Sequence, residues 1–122
     1  MTKFAVRILF IMMLLFLHPV AAYGDERQII VLEEDTEAYT VTSGEKILLD
    51  LNGYCVRDET ESDAIWVQPD AELVITGEGR IENSGKGALI FNEGICLVVG
   101  DVQLVHNTGG YAVINHGYME IN

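Results

Sequence analysis

Apolar and polar residues alternate in short runs over most of this chain. Leu73 and Ile75 alternate with Glu72, Val74 and Thr76; Ile47, Leu49 and Leu51 alternate with Leu48, Asp50 and Asn52. A period of two is the signature of a strand with one buried face. Gly, Asn, Asp and Ser separate the runs and supply turns. No twelve-residue window after position 24 keeps a helical apolar stripe, and all 12 glycines lie from position 24 onward. The pattern predicts an all-β chain.

The runs also repeat. Ala64-Ile65-Trp66-Val67, Ala88-Leu89-Ile90-Phe91 and Ala112-Val113-Ile114-Asn115 follow one another at a spacing of 24. Leu73-Val74 matches Leu97-Val98, and Asn83-Ser84-Gly85 matches Asn107-Thr108-Gly109. The turns absorb slips: Gln68-Pro69-Asp70-Ala71 shortens to Asn92-Glu93-Gly94 and recurs as Asn115-His116-Gly117. A period of this length, built from short strands, suits a parallel solenoid in which each coil lies on the one before. Three to four coils are expected, with Leu49, Leu51, Leu73, Ile75, Cys96, Val98, Met119 and Ile121 facing inward. Asn83 is expected to stack under Asn107, and Ala64, Ala88 and Ala112 on one another.

The run Leu49-Asp50-Leu51-Asn52-Gly53-Tyr54, then Ala64-Ile65-Trp66-Val67, Leu73-Val74-Ile75-Thr76-Gly77 and Ala88-Leu89-Ile90-Phe91-Asn92, resembles right-handed parallel β-helix proteins of the pectate-lyase-like superfamily. The likeness is to the repeat-rich, secreted members of bacteria and their phages, and covers residues 28–122. It implies a fold and not an activity, because that superfamily spans lyases, hydrolases, adhesins and phage tailspikes.

The N-terminal segment reads differently. Lys3 and Arg7 precede ten apolar residues from Ile8 to Leu17, and Val20-Ala21-Ala22 follows. That is the order of a secretory signal peptide, a helix over 1–22 cut after Ala22 or Gly24. Ten residues at about 1.5 Å each cover only half of a bilayer core of about 30 Å. The β-helix then occupies 23–122 with its C-terminal end open, and the protein is secreted, periplasmic or at the cell surface.

Charge narrows the partners. From Tyr23 onward the chain carries 19 acidic and five basic side chains, a formal charge of −14. That argues against nucleic acid, whose binders gather Lys and Arg against phosphate, and against an anionic membrane surface. Cys55 and Cys96, the two cysteines, fall in strand-like runs two coils apart and are expected to be unpaired.

Several side chains are candidates for chemistry. Asp58, Glu59, Glu61 and Asp63 offer oxygen ligands for calcium, without the glycine and spacing of an EF-hand loop; the competing reading is a solvated acidic turn. Glu33, Glu34, Asp35 and Glu37 form a second acidic run. Trp66 and Tyr111 are candidate glycan contacts, against a reading that places Trp66 in the core. Superfamily lyases use a basic catalytic residue, but neither Arg80 nor Lys86 is flanked by a lyase motif, so no catalytic role is assigned. His106 and His116 lie ten apart without metal-ligand spacing. Tyr118, Met119 and Ile121 form a final strand whose open edge is a self-association candidate.

Two functions fit. One is a secreted, non-enzymatic β-helix surface or interaction module, glycan-binding or self-associating. The other is a remnant or subunit of a polysaccharide lyase or glycoside hydrolase.

Overall fold

The computed structural model describes residues 27–122; the signal-peptide reading falls on 1–22 and lies outside the described residues. Twelve strands and no helix occur among them. They are β1 (Gln28–Val31), β2 (Tyr39–Val41), β3 (Lys46–Asp50), β4 (Cys55–Asp58), β5 (Ile65–Val67), β6 (Glu72–Thr76), β7 (Glu78–Asn83), β8 (Ile90–Asn92), β9 (Ile95–Val98), β10 (Asp101–His106), β11 (Val113–Asn115) and β12 (Tyr118–Ile121).

Every pairing between them is parallel. The first sheet runs β1-β3-β6-β9-β12, the second β4-β7-β10, and the third β2-β5-β8-β11. From β3 on, the chain visits first, second and third sheet in turn and then begins again. The result is a three-sided parallel β-solenoid of about four turns. The first coil is the irregular one. Its second side is a single bridge between Thr36 and Val56, and the acidic run 33–37 lies here.

Alternation explains why these residues close into a coil. Ile47, Leu73, Cys96 and Met119 form one inward column of the first sheet, and Leu49, Ile75, Val98 and Ile121 the next. Val56, Ile81 and Leu104 line the second sheet, and Ile65, Ile90 and Val113 the third. Their side chains meet along the axis as one apolar core. The eight positions expected inward all lie in or beside these columns. In the uppermost strand, however, Met119 is only half-buried and Ile121 is 53% exposed.

Two stacking expectations shift by one residue. Asn83 pairs with His106, so Asn107 lies a step past it. Ile65 pairs with Ile90 and Ile90 with Val113, which sets Ala64 and Ala112 level with Leu89 rather than Ala88. The cause is unequal coil length. Lys46 pairs with Glu72, and Glu72 with Ile95: steps of 26 and then 23 residues.

Both cysteines are free and buried, as expected, and they sit two coils apart. Cys96 is in the core, whereas Cys55 projects from the outer face of the second sheet, 3.5 Å from Glu82 Oε2. Burial, then the hydrogen bond to Glu82, pushes the Cys55 thiol up to about 11; burial pushes Cys96 to about 12. Each is therefore protonated at pH 8, and the thiolate is the reactive form. Native protein at pH 8 should react slowly with Ellman's reagent and release both thiols in guanidinium. Rapid reaction of one equivalent without denaturant would show that the Cys55 cover opens.

Candidate functional site

The outer face of the third sheet carries an aromatic column. Ile65 and Val67 are buried, so Trp66 between them projects outward. Parallel pairing sets Thr40 below it, Phe91 above it and Ile114 above that. The Trp66 and Phe91 rings are nearly parallel, 8° apart with centroids 6.4 Å apart. The Phe91 and His116 rings form a T-shaped pair, with centroids 5.5 Å apart and planes at 90°. The indole N–H of Trp66 donates to Glu93 Oε1 at 2.9 Å. Trp66 is 36% exposed.

Glu93 and His116 are held there by two asparagines. Asn92 is buried where the third sheet turns into the first. Its Oδ1 accepts from Gly94 N–H at 3.1 Å, and its Nδ2 donates to Asn115 Oδ1 at 2.9 Å and to Tyr118 O at 2.8 Å. Asn115 Oδ1 in turn accepts from Gly117 N–H at 3.1 Å. Asn side chains mimic a turn by bonding backbone two residues on. The two-residue turns Glu93-Gly94 and His116-Gly117 are thereby stacked, which fixes a carboxylate and an imidazole beside the rings. No protein-family model matches this sequence, and no match is found among curated proteins or solved structures.

The candidates named from sequence disperse. Trp66 lies on the surface and not in the core, while Tyr111, 74% exposed at the preceding corner, is outside the ring contacts that join Trp66, Phe91 and His116. The four acids of the calcium candidate differ in their partners. Asp58 is buried and accepts from Thr60 N–H at 3.1 Å and from its hydroxyl. Asp63 accepts from Ala88 N–H at 2.8 Å, Glu61 pairs with Lys86 at 3.6 Å, and Glu59 is exposed. Among the described residues no three His, Cys, Asp or Glu side chains are grouped to hold a metal.

Arg80 projects from the second sheet, 3.8 Å from Glu82, into a shallow groove of about 530 Å³ with Tyr54, Glu78, Asp101 and Gln103. His106 turns inward: its Nε2–H donates to Gly87 O at 2.7 Å while Nδ1 accepts from Thr108 N–H at 3.3 Å. That arrangement builds a corner. In the last strand the Tyr118 hydroxyl donates to Glu120, which raises the Tyr118 pKa. Tyr118 and Ile121 are exposed.

Sequence reasoning missed Phe91 and Glu93, and weighed His116 only as a metal ligand. The repeat aligned Phe91 with Val67, one place from its true neighbour Trp66. The turn match Asn92-Glu93-Gly94 with Asn115-His116-Gly117 was the usable signal, since it already put Glu93 and His116 at equivalent positions.

Proposed function

We propose that this chain is a secreted, non-enzymatic β-helix module of the pectate-lyase-like kind that recognises carbohydrate on the outer face of its third sheet. The observation that carries the reading is the Trp66–Phe91 ring pair with the Glu93 carboxylate hydrogen-bonded at its border. A sugar ring offers an apolar C–H face to an aromatic ring and hydroxyls to a carboxylate at its edge; such amphipathic contact is what aromatics with polar neighbours provide. Secretion rests on the leader sequence 1–22. The strongly acidic surface favours uncharged glycans over polyanions, which it would repel.

Affinity electrophoresis or calorimetry of the mature protein against neutral and acidic polysaccharides tests this. Binding to a neutral polysaccharide is expected, weakened by at least about tenfold in Trp66→Ala, equivalent to about 1.4 kcal/mol. Undiminished binding by Trp66→Ala, or no retention of the parent protein by any polysaccharide, would sink the reading. Cleavage of a polysaccharide would establish the lyase or hydrolase alternative instead.

A further inference from the structure

The third sheet and the turns that leave it differ in charge from the other two sides. Strands β2, β5, β8 and β11, with the turns 42–45, 68–71, 93–94 and 116–117, hold Glu45, Asp70 and Glu93 and no Lys or Arg. The five Lys and Arg side chains of residues 27–122 lie elsewhere. Arg27 and Lys46 meet Glu72 of the first sheet, and Arg57 and Arg80 meet Glu82 of the second. Lys86 meets Glu61 at the corner between the second and third. A cationic ligand on the third sheet therefore finds carboxylates without a lysine or arginine to compete for them.

Glu93 is the carboxylate set among the rings. Its Oε1 accepts the indole N–H of Trp66 at 2.9 Å, and no hydrogen bond or ion pair among the described residues engages its Oε2. The turn that carries it is pinned by Asn92, and His116 in the turn above packs on Phe91. Glu93 is half-buried, so water and salt screen its charge less than on an open surface. The indole thus fixes the carboxylate and leaves one of its oxygens for a ligand.

We infer that the glycan taken by this face is an amino-sugar polymer, whose free ammonium group is bound by Glu93 while the sugar rests on the Trp66–Phe91 pair. The inference rests on carbohydrate recognition by that face. A sugar hydroxyl is a neutral donor to a carboxylate. An ammonium group adds its own charge, and hydrogen bonds between two ionised groups are shorter and stronger. Aromatic rings also attract an ammonium group. The acidic surface as a whole draws a polycation in but does not choose where it sits. Glu93 makes that choice. N-acetylation removes the ammonium charge and keeps the sugar ring and its linkage, so it isolates this contact.

Calorimetry of the mature protein with a glucosamine hexamer, and with its fully N-acetylated counterpart, at pH 6 decides it. The expected result is a dissociation constant at least about tenfold lower for the free amine. Glu93→Gln keeps an acceptor for Trp66 and removes the charge. It should abolish the preference and leave binding of the N-acetylated hexamer as it was. Glu78→Gln removes the same charge from the outer face of the second sheet and should leave the preference intact. Equal affinity for the two hexamers, a preference that survives Glu93→Gln, or one that Glu78→Gln removes as well would overturn the inference. Equal affinities that both vanish in Trp66→Ala would leave carbohydrate recognition standing without the amino sugar, whereas binding of neither hexamer nor any other polysaccharide would remove both.

Discussion

Replacing Gly85 by alanine should destabilise the fold by about 4 kcal/mol or more, among the largest effects of any single methyl group in this chain. Gly85 lies where the second sheet turns into the third, against the coil below. A Cβ there would sit 1.5 Å from Thr60 O and 2.6 Å from the Thr60 carbonyl carbon. Both are backbone atoms, so no rotamer change relieves the clash and one coil must lift from the other. Since neighbouring coils supply each other's interior, local lifting exposes apolar surface on both. The control is Gly44→Ala. Gly44 has φ +88, and a methyl group added there would have nothing within 4 Å, so its substitution costs only the left-handed backbone penalty of about 1–2 kcal/mol. Thermal denaturation should show Gly85→Ala melting at least about 15 °C below the parent. A shift of only a few degrees would mean that the corner has slack the coil contacts do not reveal.

The second large effect is expected at Asn83. It is fully buried at the end of β7, between Asp58 below and His106 above. Its Nδ2 donates to Ser62 O at 3.0 Å and to Ala88 O at 2.9 Å, and its Oδ1 accepts from Gly85 N–H at 2.8 Å. Asn83→Ala removes all three bonds. Each buried group left unpaired costs about 1–3 kcal/mol, so a loss of about 3 kcal/mol or more is expected by urea denaturation. Asn83→Asp separates chemistry from volume. The ionised carboxylate would face two carbonyl oxygens and could donate to neither, while the protonated acid donates once. Burial and the two carbonyls therefore raise the folded-state pKa above that of the unfolded chain. Stability from the protonated form is present at low pH and is lost as pH rises through the folded pKa. The gap between Asn83→Asp and the parent should narrow from pH 7 to pH 4. A gap independent of pH would show that Asn83 acts by shape alone.

Asn83 also shows how far the sequence could be read. Its place in the repeat and at a turn was visible from Asn83-Ser84-Gly85, and the fold class followed from alternation plus period. The inward columns through Leu49, Leu73 and Cys96 needed nothing beyond that alternation. Register was harder. A solenoid tolerates corners of different length, so Ser62-Asp63-Ala64 before β5 and Lys86-Gly87-Ala88 before β8 look equivalent in sequence while differing by one residue in space. Like residues attracted the alignment, whereas backbone hydrogen bonds set the pairing. For the same reason the ladder expected at Asn83 and Asn107 occurs at Asn92 and Asn115. The aromatic site depended on that lost residue: Trp66 was legible as a candidate, its partner Phe91 was not. Tyr111 entered through residue type alone, which carries no position.

The parallel pairing has a kinetic side. In an uninterrupted solenoid each strand's partner is one coil away along the chain, as Lys46 is from Glu72. No hairpin or helix among the described residues can form early and wait for the rest. Closing a loop of this size costs about 3 kcal/mol before any strand is rewarded, and the first two coils must also order their own residues to meet. Every later coil faces a finished template and closes the same loop with full reward. The barrier to folding thus belongs to the founding pair of coils. Growth from there is a zipper, and folding rate answers to the strength of one coil pair more than to how many coils follow.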